Sequence, residues 1–61
     1  RTYELELTKI KGIGEAKALA LIKHFKTKQA LKEASPDELA AVAKVKEEKA
    51  IEIYNFIQEN F

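Results

Sequence analysis

The chain contains no cysteine, methionine or tryptophan, a single proline and two glycines. Without cysteine there are no disulfides, no Cys-ligated zinc and no thiol catalysis. His24 is the only histidine, so no histidine cluster exists to bind a metal or form a catalytic dyad. No unbroken apolar run exceeds five residues, as in Ala18 to Ile22, far short of the roughly 20 that a membrane span needs. No signal-peptide pattern opens the chain, which begins at Arg1 without a Met, as an excised fragment would. Charge of one sign is scarce too: 11 basic against 10 acidic residues give a net +1, which by itself argues against a polyanion binder.

What is present is a 61-residue chain, 46% hydrophobic and 34% charged. That balance suits one small globular domain rather than a disordered segment, near the size where a single core becomes marginal. The charge is segregated. Lys9 to Lys32 hold seven lysines against Glu15 alone, a segment charge of +6; Arg1 to Thr8 carry −1, and Glu33 onward carry −4. Such asymmetry suits a polyanion-facing surface, although solvated lysine-rich helix faces produce it as well.

Breaks in the chain are few. Ser35-Pro36-Asp37-Glu38 reads as a helix start, with Ser35 as cap, Pro36 in the first turn and Glu38 closing a capping box. Leu39 and Val42 then share a face. Thr27 similarly starts a short segment to Ala34. Two longer helices follow from 3-4-3 apolar spacing: Glu15 to about Phe25, through Ala18, Leu21, Ile22 and Phe25, and Glu47 to about Glu59, through Ala50, Ile53, Tyr54 and Ile57, with Ile51 and Phe56 widening the stripe. At the N-terminus Tyr3 to Leu7 alternates like a strand, but no partner strand exists elsewhere, so a short helix is expected.

Displaced by 32 residues, the chain aligns with itself. Leu7 falls on Leu39, Ile10 on Val42, Ile13 on Val45, Glu15 on Glu47, Lys17 on Lys49, Ala18 on Ala50, Leu21 on Ile53 and Phe25 on Ile57. The unit is a short helix, a tight turn and a longer helix. Two such units bury their stripes against each other about a pseudo-two-fold axis. The expected fold is therefore all-α: a compact five-helix domain spanning 1–61, with a first unit at about 5–25, a connector helix at 27–34 and a second unit at about 36–59.

In the first unit the turn reads Ile10-Lys11-Gly12-Ile13-Gly14. Glycine is the default residue of tight turns, and here Gly14 also precedes a helix N-terminus, where unpaired amides and the helix dipole favour an anion. Lys11 and Lys17 flank that position. Repeated amide cradles beside lysines suit a phosphodiester backbone.

Leu7-x-x-Ile10-x-Gly12-Ile13-Gly14 resembles the helix-hairpin-helix (HhH) motif of sequence-nonspecific DNA-binding proteins, and the whole chain resembles a tandem (HhH)2 pair. More narrowly, Lys17-Ala18, Ile22-Lys23-His24-Phe25, Ala30 to Ser35, Asp37 to Val42 and Glu48-Lys49-Ala50-x-x-Ile53-Tyr54 resemble the C-terminal domain of the UvrC family of excinuclease ABC components. The resemblance implies a non-catalytic, cytoplasmic DNA-binding module of the bacterial nucleotide-excision repair nuclease. It would help place the enzyme on damaged or partly single-stranded DNA, with the other excision repair subunits as partners through the parent protein. No cofactor, metal, membrane or small-molecule substrate is implied. Carried over, the hairpin role falls on Gly12, Ile13 and Gly14, with Lys11 and Lys17 beside them, and in the second unit on Lys44, Val45, Lys46 and Lys49. Two departures stand out: Lys11 replaces a common proline, and Lys44 stands where the repeat expects glycine. A positive φ at Lys44 would cost roughly 1–2 kcal/mol. Either the second turn takes another conformation, or it binds through lysine side chains.

The remaining chemistry-bearing residues have plainer readings. Carboxylates lie mostly on polar helix faces without metal-ligand spacing, Ser35 is a cap, and His24 sits near a helix end that favours a cation. Helical spacing assigns Phe25, Tyr54 and Phe56 to the core and leaves Tyr3 and Phe61 open between core and base stacking. The competing functional class is a protein-interaction or dimerisation (HhH)2 module, which requires an exposed apolar patch around the C-terminal helix.

Overall fold

Five α-helices account for most of the chain: α1 Thr2–Leu7, α2 Glu15–Phe25, α3 Lys28–Glu33, α4 Pro36–Ala43 and α5 Glu47–Asn60. The computed structural model describes residues 2–61, with side chains from Leu5 onward; Tyr3 lies outside the described side chains. No strand occurs among the described residues, so the alternating N-terminal stretch is helical, as the lack of a partner strand requires.

The helix starts follow from local chemistry. Ser35 Oγ accepts from the Glu38 amide at 3.3 Å while Glu38 Oε1 accepts from the Ser35 amide at 3.2 Å, closing the capping box with Pro36 in the first turn. Thr27 Oγ1 accepts from the Ala30 amide at 3.1 Å and starts α3. These two caps define the connector and make α3 and α4 separate short helices rather than one continuous helix. The C-terminal end of α5 is tied to α3, where Gln58 Nε2 donates to the Lys32 carbonyl at 2.7 Å.

Burial repeats with the sequence. Leu7 and Leu39, Ala18 and Ala50, and Leu21 and Ile53 are all fully buried, so each unit contributes the same three positions to one shared core. Leu31 and Ala34 from the connector, Ile10 and Ile13 from the first turn, Ala43 from α4 and Ile57 from α5 complete it. The helix α4 packs most extensively on α5, α1 and α4 both pack on α2, and α3 bridges α2 and α5. The result measures 24 × 21 × 20 Å.

Three expectations about the core need correction. Phe25, Tyr54 and Phe56 pack against the core but are only partly buried. Phe61 joins them at the margin. Ile51 does not widen the buried stripe of α5; it is 43% exposed, because the stripe is centred on Ala50, Ile53 and Ile57 and leaves Ile51 on the helix flank. Val42 and Val45 are half-buried where their counterparts Ile10 and Ile13 are buried.

The two turns reverse the chain with the same backbone sign. Gly12 has φ +88°, and Lys44 has φ 57°, ψ 50°, in the left-handed region. The second turn therefore keeps the conformation that the repeat demands despite lacking glycine. Two hydrogen bonds hold it: the amides of Lys44 and Val45 both donate to the Ala40 carbonyl, the latter at 3.1 Å, which closes α4 as a Schellman-type end. Lys26, at the end of α2, is also at positive φ (67°), with its amide on the Ile22 carbonyl at 2.8 Å.

Replacing Ser35 by Ala is expected to lower stability by about 1 kcal/mol in denaturant titration, through loss of the cap. In the same measurement Lys44→Gly should raise stability by about 0.5–1 kcal/mol, the relief of left-handed strain less the larger unfolded-state entropy of glycine. Gly12→Ala should lower it by about 1–2 kcal/mol.

Candidate nucleic-acid interface

The first hairpin is built outward from two buried anchors. After α1 ends, the Lys9 and Ile10 amides donate to the Glu6 and Leu7 carbonyls at 3.1 Å each, and the Ile13 amide donates to the Ile10 carbonyl at 3.0 Å. Ile10 and Ile13 are buried and hold the loop to the core, whereas Lys11, Gly12 and Gly14 remain exposed. The Ile13 side chain is thus a packing group, and its amide is already engaged. Any contact from this turn comes from its exposed neighbours.

Gly14 is the N-cap of α2 in extended conformation (φ −91°, ψ −174°), and no side chain caps this helix. Its carbonyl accepts from the Ala18 amide at 3.0 Å. The amides of Gly14, Glu15, Ala16 and Lys17 have no protein acceptor among the described residues. The second hairpin repeats the arrangement: Lys46 is the extended N-cap of α5 (φ −71°, ψ 161°), again without a side-chain cap. The contrast with α3 and α4 is informative. At the starts of α3 and α4 one first-turn amide each, of Ala30 and Glu38, is capped by Thr27 and Ser35, whereas the two helix starts that follow hairpins carry no side-chain cap.

The structure brings the two hairpins together. Gly12 from the first lines one groove with Lys44, Val45, Lys46 and Lys49 of the second, a space of about 460 Å³. Lys17 shares a smaller groove of about 240 Å³ with Ala43 and Lys44. Lys44 therefore borders both grooves and links Lys17 of the first unit with Lys46 and Lys49 of the second; Lys11 lines neither. Glu48 and Glu52 also line the larger groove and reduce its positive potential; Glu47 and Glu48, in the first turn, stabilise the start of α5 through the helix dipole. Only Glu15 does so at the start of α2, so the first hairpin is the more electropositive of the two.

Among the nine residues that the sequence singles out, Lys11, Lys17, Lys44 and Lys46 have no hydrogen bond or ion pair to their ammonium groups among the described residues. Lys49 differs. Its Nζ donates to the Lys11 carbonyl at 2.6 Å and to Glu52 Oε1 at 2.8 Å, so it engages the protein rather than standing free beside its hairpin. The repeat equates it with Lys17 and conceals this difference; the only local hint is Glu52 three residues on. Val45, like Ile13, directs its amide inward, to the Ala40 carbonyl.

No group of three or more His, Cys, Asp or Glu suited to a metal ion occurs among the described residues, and no helix is long and apolar enough to cross a membrane. His24 is exposed and meets Phe25 edge-on at 4.8 Å.

Comparison with known proteins agrees with this geometry. The chain is 48% identical over 54 residues to the UvrABC system protein C of Chlorobaculum tepidum, covering 88% of this chain and 9% of that protein. It is 49% identical over 43 residues to the protein of the same name from Chlorobium phaeobacteroides, covering 70% of this chain and 7% of the relative. The chain thus spans under a tenth of the length of either relative. No solved structure matches it at a significant level. Residues 4–59 match the SAM-like helix-hairpin-helix tandem as a whole, both hairpins and the connector included, and the chain belongs to that family.

Proposed function

We propose that this chain is a sequence-nonspecific DNA-binding module of a UvrABC-type nucleotide-excision repair nuclease. It grips backbone phosphates and helps position the incision enzyme on damaged or partly single-stranded DNA. The observation that carries this reading is the selective absence of caps: of the four helices whose starts are described with their caps, only the two that follow hairpins have no side-chain cap on any first-turn amide. Oriented donors at a helix N-terminus favour phosphate, and contacts of this kind carry no sequence information.

In this reading Gly12 and Gly14 let a phosphate approach the backbone, Lys11 and Lys17 neutralise it, and Ile13 anchors the loop from beneath. The second hairpin contributes chiefly through the Lys44 and Lys46 side chains, since the Lys44 and Val45 amides are held by Ala40. The module has no catalytic role, and the incision chemistry belongs to other parts of the parent protein. Its further partners are the remaining excision repair subunits, and its compartment is the cytoplasm. The competing protein-interaction reading requires a contiguous apolar patch on α5. Ile51 is the one exposed large hydrophobic there among the described residues, and single exposed apolar side chains are ordinary.

Titrating duplex DNA at several salt concentrations tests the proposal. With four lysines free to neutralise about four phosphates, log affinity should fall with log salt at a slope near −3.6. Salt-independent affinity, or no binding to any DNA form, would overturn it. The double variant Lys44→Ala/Lys46→Ala should weaken binding and make the slope shallower by about 1.8; undiminished affinity would remove the second hairpin from the interface.

A further inference from the structure

Among the described residues Lys49 is the one lysine whose ammonium reaches across the repeat to the other unit; Lys9, ahead of the first turn, pairs only locally, with Glu6 at 3.4 Å. Lys49 lies in the first turn of α5, in the second unit, and its Nζ donates to the carbonyl of Lys11 in the first hairpin, 38 residues away in sequence, at 2.6 Å. Glu52 Oε1, at 2.8 Å, holds the same ammonium from its own helix. The lysine stem crosses the face of Gly12: a Cβ there would lie 3.4 Å from Lys49 Cε and 3.5 Å from Nζ. At those distances a Cβ would be in ordinary contact with the flexible end of the lysine, so it is the positive φ that calls for glycine here. The Lys49 side chain is only 26% exposed, against 60% for Glu52.

The consequence follows from the peptide bond. The Lys11 carbonyl and the Gly12 amide belong to one planar unit, with C=O and N–H directed oppositely. An ammonium that holds the carbonyl on one side fixes the amide pointing away from it on the other. That amide has no protein acceptor among the described residues. In the second hairpin the equivalent amide, of Lys44, is bonded to the Ala40 carbonyl, and that peptide needs no further restraint. Lys17, the repeat counterpart of Lys49, lines a groove with Ala43 and Lys44 but makes no hydrogen bond to them. The asymmetry is coherent: the turn peptide whose amide no carbonyl of its own helix holds is held from outside by the other unit.

We infer that Lys49 is a positioning residue, which orients the Lys11–Gly12 peptide of the first hairpin so that the Gly12 amide is presented to a phosphate, and that it does not itself neutralise one. This rests on the phosphate-binding reading of the hairpins for its functional meaning, while its structural part stands alone. The alternative is that the remaining N–H of the Lys49 ammonium touches DNA directly, as its place in the repeat suggests.

The test uses the double variant Lys49→Met/Glu52→Gln, which removes the contact without changing net charge. In the free protein the ¹⁵N order parameter of Gly12 should fall from about 0.85 towards 0.6, with amide exchange at Leu21 and Ile53 unchanged as the check on folding. Affinity for duplex DNA should drop about tenfold, the entropy of re-ordering a freed residue on binding, with the salt slope unaltered. Lys17→Met should by contrast make that slope shallower by about 0.9. A slope shallower by about 0.9 in the Lys49→Met/Glu52→Gln protein would make Lys49 a phosphate contact and overturn the inference. An unchanged order parameter at Gly12 would overturn it equally. If the unaltered protein binds no DNA, the phosphate reading fails, and the order parameter still decides whether Lys49 holds the hairpin.

Discussion

Everything in this chain depends on the mutual burial of two apolar stripes that neither unit can bury alone. Leu7 with Leu39, Ala18 with Ala50 and Leu21 with Ile53 are the same positions of a repeated unit, and all six are fully buried. A helix-turn-helix of some 20 residues has no second layer of its own and must find one in its copy. Because the copies face each other, their turns arrive on neighbouring parts of the surface, where Gly12 meets Lys44, Val45 and Lys46. The placement of the hairpins is thus a consequence of core packing. Each is also anchored by its own apolar residue, Ile13 or Val45.

The same constraint explains how the turns diverge while the fold is kept. The first hairpin uses glycine for its positive φ; the second reaches the same region with Lys44 and holds it with two amides on the Ala40 carbonyl. One route leaves backbone donors open, and the other exchanges them for a cationic side chain. The near-neutral net charge fits this division, since amides and helix dipoles contribute attraction that formal charge does not count. On the proposed reading the module has modest electrostatic reach and selects the geometry of phosphates.

Much of the architecture was legible because it is local. The capping box at Ser35, the cap at Thr27 and the 3-4-3 stripes of α2 and α5 are short-range chemistry, and the helix ends lie where that chemistry puts them. The self-alignment carried the rest of the fold, since the central pairs Leu7 and Leu39, Ala18 and Ala50, and Leu21 and Ile53 share burial. What escaped was whatever depends on distance across the molecule. Nothing near Lys49 in sequence indicates that its ammonium rests on a carbonyl 38 residues away, and its alignment with Lys17 pointed elsewhere. The left-handed conformation of Lys26 carries no glycine or asparagine to announce it, whereas at Lys44 the repeat, through Gly12, marks the position. Ile51 was assigned inward because apolar periodicity gives the centre of a buried stripe more reliably than its width.

The central claim is that the two uncapped helix starts, brought side by side by the repeat, are where DNA is held. Amide chemical-shift mapping with duplex, bubble and single-stranded DNA tests it most directly. The account predicts shifts centred on Gly12 to Lys17 and on Lys44 to Lys49, larger in the first set, with the capped starts at Thr27 and Ser35 unperturbed. Shifts centred on the connector or around exposed Leu19 or Ile51, or none with any DNA form, would contradict it.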